Sequence, residues 1–138
     1  MTDKTTTINT EPSKVKKRKA KRGVSQGQVH IQATFNNTIV SFTDNNGSVL
    51  ATSSAGACGF RGSKKGTAYA AQIAAERAGQ AAKQIYGFSK CDVYIKGIGL
   101  GRDSAIRSIA GLDILIESIV DVTGVPHGGV RPRKARRV

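Results

Sequence analysis

The sequence predicts an α/β domain, a mixed sheet with two helices in the order βββαβαβ, and three observations predict it. Apolar and polar residues alternate strictly from Gln28, and the alternation is broken at Asn36-Asn37 and again at Asn46-Gly47. This is the mark of a three-stranded antiparallel meander over residues 28–54. An alanine-rich stretch of helical period then follows a basic, glycine-punctuated loop. Finally, two runs suited to strands, residues 91–96 and 114–122, are separated by a glycine-rich turn and a shorter helix. A hairpin meander followed by two βα crossovers has ribonuclease-H-like topology.

The first strand places Val29, Ile31, Ala33 and Phe35 on one face and His30, Gln32 and Thr34 on the other. Asn36 and Asn37 close a tight hairpin because asparagine tolerates left-handed backbone conformations. The second strand spans residues 38–44, Asn46-Gly47 makes the next turn, and residues 48–53 form the third strand. The loop Gly59-Phe60-Arg61-Gly62-Ser63-Lys64-Lys65-Gly66 leads directly into the helix from Thr67. Three glycines allow close approach to a ligand, and Arg61, Lys64 and Lys65 bring positive charge to a helix N-terminus. Its unpaired N–H groups already favour anions, so the combination points to phosphate. Along the helix, Ala70, Ile73, Ala74, Ala78, Ala81 and Ile85 form a narrow apolar face, small enough for close approach to a sheet. In the second crossover the run from Gly97 to Gly101 leads through Arg102 to a helix over residues 104–110, with Asp103 as N-cap and Gly111 as stop. The run 114–122, rich in β-branched residues, suits a sheet interior.

Charge divides the 138 residues into a body and two arms. Residues 1–22 carry 8 basic and 2 acidic side chains, residues 23–124 carry 9 and 7, and residues 125–138 carry 5 and 0. The expected organisation is therefore one folded domain at 23–124, with a basic N-terminal arm at 1–22 and a basic C-terminal arm at 125–138. Both arms are too polar to offset the entropy of ordering them alone. Cationic ends on a nearly balanced body predict a polyanionic partner.

Other chemistry fails on residue type or spacing. Two-metal ribonuclease-H-like nucleases place carboxylates on the first strand, the first helix and the end of the fourth strand. Here the first strand offers no acid, the fourth strand ends in Lys96, and Glu76 stands alone. Glu117 lies twenty residues downstream of Gly97, but a dinucleotide fingerprint would need glycine at position 102, which is Arg102. No Gly-Lys-Ser/Thr completes a phosphate loop, and His30 and His127 have no nucleophile partner. Cys58 and Cys91 form no Cys-x-x-Cys pair, so free thiols are expected rather than a zinc site. These readings imply no enzyme, no cofactor, no small-molecule substrate and no membrane partner, with the chain remaining in the cytoplasm where it is made.

Several ordered motifs carry a family resemblance. Gly59-Phe60-Arg61-Gly62-Ser63-Lys64-Lys65, the helical run Ala70-Ala71-Gln72-Ile73-Ala74-Ala75-Glu76-Arg77-Ala78, the turn Gly101-Arg102-Asp103-Ser104-Ala105-Ile106-Arg107, and the ending from Asp121-Val122-Thr123 through Pro126-His127 to Arg136-Arg137-Val138 together resemble the S-eleven family of universal small-subunit ribosomal proteins, bacterial type. The resemblance covers about residues 14–138. It implies a ribosome-bound structural protein on the platform of the small subunit, binding small-subunit rRNA beside neighbouring platform proteins and near the messenger RNA path.

Carried onto this chain, the RNA-contacting set is Lys14, Lys16, Lys17, Arg18, Lys19, Lys21 and Arg22 in the first arm and Asn36 and Asn37 at the hairpin tip. It continues with Phe60, Arg61, Lys64 and Lys65 in the basic loop, Arg102 at the second turn, and His127, Arg131, Arg133, Lys134, Arg136 and Arg137 in the last arm. Arg107 joins them as a cation exposed beyond the glycine turn. The rival readings are a free RNA-binding chaperone and a metal-dependent nuclease. Two departures from the family stand out. Ile98 stands where the family usually has a proline and Leu100 where it sometimes has one, and Gly128-Gly129-Val130 stands where the family usually reads Asn-Gly-Cys.

Overall fold

The computed structural model describes residues 23–137. Five strands, β1 (Gln26–Ala33), β2 (Thr38–Thr43), β3 (Val49–Ser54), β4 (Lys90–Lys96) and β5 (Leu115–Asp121), form one sheet in the order β3-β2-β1-β4-β5. β1, β2 and β3 pair antiparallel, while β4 and β5 join parallel to β1 and to each other. Helix α1 (Ala68–Tyr86) and helix α2 (Arg102–Gly111) supply the two crossovers, and a 3₁₀ turn (Gly62–Gly66) precedes α1. This is the mixed α/β architecture that the alternation and the helical period predict.

Both helices lie on the face built by Val29, Ile31, Val40, Phe42, Cys91, Val93 and Ile95, all buried. Phe42 and Phe88 meet edge to face at 5.3 Å beneath α1. The buried face of α1 is narrower in side chain than the predicted one. Ala70, Ala71, Ala74, Ala75, Ala78, Gly79 and Ala82 face the sheet, while Ile73 and Ala81 are half-buried and Ile85 is exposed. Close packing leaves no room for more: a Cβ at Gly79 would lie 2.4 Å from Cδ1 of Leu112 at the end of α2 and 3.4 Å from Phe42 Cζ in the sheet, so small side chains line α1 where it meets both. α1 is capped by Thr67, whose Oγ1 accepts from Ala70 N, and ends at Gly87 in the left-handed region.

Three expectations need correction. Phe35 is 66% exposed instead of buried, because β1 ends at Ala33 and Thr34 Oγ1 accepts the N–H groups of Asn36 and Asn37, turning the chain before Phe35 can reach the core. Helix α2 begins at Arg102 with Gly101 as its cap, so Asp103 lies in the first turn, where a carboxylate still complements the helix dipole. Most consequentially, β5 is an edge strand, not an interior one, and most of its residues are exposed.

Candidate nucleic-acid interface

The order of strands brings the chemistry to one end. β1, β4 and β5 are parallel, so their C-terminal ends, the β1–β2 hairpin tip, the loop after β3 and the N-termini of α1 and α2 all gather on the same rim of the sheet. Glycines make the gathering tight. A Cβ at Gly66 would stand 2.0 Å from the Phe35 carbonyl oxygen, one at Gly97 2.0 Å from the Ala33 carbonyl oxygen, and one at Gly99 2.3 Å from that of Thr34. Backbone therefore packs on backbone where the basic loop, the hairpin tip and the second glycine turn meet.

The hairpin tip is built by its own side chains. Thr34 N donates to Asn37 O at 2.8 Å, and Asn37 Oδ1 accepts from Thr38 N at 2.9 Å. Asn37 thus shapes the turn, whereas Asn36 is exposed at its tip. Beside it, Arg61 and Lys64 are exposed, and the stem of half-buried Lys65 lies near Gly56. No acidic residue occupies the first turn of α1, so these cations and the helix N-terminus act with one sign. Arg77 Nη1 donates to Ala57 O at 3.0 Å, holding the preceding loop against α1.

Aromatic residues share this rim. Phe60 meets Tyr69 edge to face with ring centroids 5.8 Å apart, Tyr69 is 61% exposed, and Phe35 projects from the neighbouring tip. Of these the sequence pattern singles out Phe60, while Phe35, Tyr69 and exposed Lys96 at the end of β4 share its rim. The signal for Tyr69 was present: it occupies the first helical turn outside the alanine face.

Arg102 also reaches the rim, but it is engaged. Its Nη2 donates to Asp121 Oδ2, while the Thr123 hydroxyl and N–H donate to Asp121 Oδ1. The two Thr123 bonds first, and then the guanidinium, lower the Asp121 carboxyl from 3.8 to about 2. Thr123 Oγ1 accepts in turn from Gly97 N at 3.1 Å, and Val122 N donates to Ile95 O at 2.8 Å, so the last arm leaves the sheet from this same rim. His127, Arg131, Arg133, Lys134, Arg136 and Arg137 follow in a segment without helix or strand, all exposed.

Arg107 is not part of this grouping. It is exposed on α2 and lines a cleft of about 440 Å³ between the helices with Gln72, Glu76, Ser104 and Ser108. Lys14, Lys16, Lys17, Arg18, Lys19, Lys21 and Arg22 lie outside the described residues. His30 stacks on Tyr94 at 5.3 Å on the sheet face opposite the helices. Among the described residues, no three His, Cys, Asp or Glu side chains gather where they could hold a metal ion, and no helix is long and apolar enough to cross a membrane.

Comparison with known proteins identifies the family. The family model described as Ribosomal protein S11 matches residues 27–137. Small ribosomal subunit protein uS11 of Teredinibacter turnerae is 53% identical over 129 residues, covering 93% of this chain and 98% of that protein. The proteins of the same name from Alteromonas mediterranea and Methylococcus capsulatus are 51% and 52% identical, over 92% and 88% of this chain and 97% and 94% of theirs. With a family model spanning nearly the whole folded domain and relatives matched almost end to end, the chain belongs to the ribosomal protein S11 family.

Proposed function

We propose that this protein is a non-enzymatic, structural constituent of the small ribosomal subunit, anchored to small-subunit rRNA on the platform through the rim of its sheet and its two basic arms. The observation that carries the reading is the assembly of Arg61, Lys64, Lys65 and the cationic tail at one end of the sheet, beside a helix N-terminus with no acid in its first turn. The folded domain holds the roots of the arms, and the arms at 1–22 and 125–138 order between rRNA helices. Asn36, Phe60, Arg61, Lys64, Lys65, His127, Arg131, Arg133, Lys134, Arg136 and Arg137 face the RNA. Arg102 has a double role, since its bond to Asp121 fixes the root of the last arm before it meets any phosphate. Arg107 and the first arm's cations complete the phosphate-contacting set.

Each neutralised phosphate releases condensed counterions, so binding weakens by roughly 0.7–0.9 log units per decade of salt for every contact. The test is affinity for a small-subunit rRNA transcript as a function of salt, with the full chain and with chains lacking residues 1–22 or 125–138. Loss of an arm is expected to lower both affinity and slope. Unchanged values, or equal affinity for an unrelated structured RNA, would sink the reading in favour of a polyanion-binding chaperone.

A further inference from the structure

The edge of the sheet formed by β5 has the opposite character from the rim. Neither helix packs closely on this strand, so the helix layer stops short of it. Ile119 lies beside fully buried Val93 in the register, yet is 55% exposed; Val120 lies beside Tyr94 on the other face and is 40% exposed. Leu115 is 58% exposed at the start of the strand, and Val122 is 45% exposed just past its end. Only Ile116, beside buried Cys91, packs against the core; beyond it β5 is apolar on both faces and largely uncovered.

Its backbone is also open. Val122 N donates inward to Ile95 O, and in an extended strand successive residues point their N–H and C=O groups to opposite sides. The groups of Ile119 and Asp121 accordingly face away from β4, and no described strand pairs with them. The opposite edge, β3, presents mostly small and polar residues, Ala51, Thr52, Ser53 and Ser54. A long apolar edge left bare invites pairing.

Charge selects the occupant. Residues 108–130 contain Asp113, Glu117 and Asp121 but no lysine or arginine. Midway along the edge Glu117 Oε2 accepts from Gln26 Nε2 at 3.2 Å, and one strand in, on β4, Asp92 Oδ1 accepts from Ser118 Oγ at 2.8 Å. Lys90 flanks the start of the strand, in register with Leu115, exposed Lys96 lies just past its end on β4, and Arg102 there is held by Asp121, so only the centre is acidic. RNA phosphate would be repelled here, and a second copy pairing through β5 would set the same acids against each other.

We propose that β5 is a docking edge for a neighbouring protein of the assembled particle. The occupant is an extended segment whose apolar side chains cover Ile119 and Val120 and whose lysines or arginines meet Asp92 and Glu117. This proposal uses the subunit as its setting but does not depend on which residues bind RNA.

The test places photoreactive benzoylphenylalanine at position 115 of the full chain in purified small subunits and identifies the adduct by peptide mass. A second arm compares hydrogen exchange at the Ile119 and Asp121 amides between free chain and subunit. Support is an adduct to a lysine- or arginine-bearing protein segment, with exchange at both amides slowed at least tenfold in the subunit. Ile119→Pro removes one outward N–H while leaving the bonds to β4, and is expected to abolish the adduct without altering the salt slope of rRNA binding. Glu117→Lys, which keeps the backbone intact, is expected to reduce the adduct severalfold. An adduct to rRNA, to a second copy or to this chain's own arms, no adduct, or an adduct indifferent to both variants, would overturn the proposal. Loss of rRNA affinity in the arm truncations is read separately, so either proposal can fail alone.

Discussion

The rim and the β5 edge belong to the same sheet and are built from opposite materials. At the rim, glycines let three segments pack backbone to backbone, and exposed cations are set beside a helix N-terminus with no acid in its first turn. Along β5, exposed Ile119 and Val120 sit between Ser118 and Asp121, and no lysine or arginine lies between Arg107 and Arg131 in the sequence. Arg102 and Asp121 join the two regions, spanning from the start of α2 to the end of β5. The contrast teaches that a strongly cationic chain does not spread its charge. It concentrates charge at the rim and clears it from the β5 edge.

The comparison breaks most visibly if charge at the rim is removed. Replacing Arg61, Lys64 and Lys65 together by glutamine is expected to flatten the log–log salt dependence of rRNA binding by about 2 to 3 and to weaken it on the order of 100-fold near physiological salt. Filter binding across a salt series reads both quantities. A slope equal to that of the unaltered chain would mean that the basic loop faces solvent in the complex.

Geometry at the rim comes next. Gly66→Ala drives a Cβ against the Phe35 carbonyl, and because the obstacle is backbone, the hairpin tip must shift. The expected cost is about 1–3 kcal/mol of stability, measured by denaturant unfolding, with a parallel loss of rRNA affinity. Tyr69→Ala tests the aromatic part of the same surface. If its exposed ring stacks on an unpaired base, affinity falls by about 1–3 kcal/mol with the salt slope unchanged, which separates stacking from phosphate contact.

Much of this arrangement was legible in the sequence. The alternation through Val29, Ile31 and Ala33, the Asn46-Gly47 turn and the small residues of α1 each report a local constraint, and each appears in the structure as expected. Phe35 was misread because it continues the alternation in number while the chain has already turned on the Thr34 hydroxyl. The helix face was read too generously, since periodicity marks Ile73 and Ile85 as apolar but does not report how closely the helix approaches the sheet. β5 was misplaced for a related reason. Val, Ile and Leu suit a strand wherever it lies, and only strand order reveals that the helices leave this one uncovered.

A finer measurement addresses the junction between the two regions. Asp121 is about half exposed, its side chain 49% accessible, yet its carboxyl is lowered to about 2, chiefly by the Thr123 bonds and then by Arg102. The folded form therefore binds its proton less readily than the unfolded chain, whose carboxyl titrates near 3.8. The contribution is fully present above the unfolded value and is lost as pH falls through the folded one, so its window is about pH 4 to 2. Comparing thermal unfolding of the unaltered chain with Asp121→Asn across that range isolates it: the difference in stability present at pH 5 is expected to shrink toward pH 2. A difference independent of pH would assign the effect of the substitution to lost hydrogen-bond geometry, and the joint between rim and edge would owe nothing to charge.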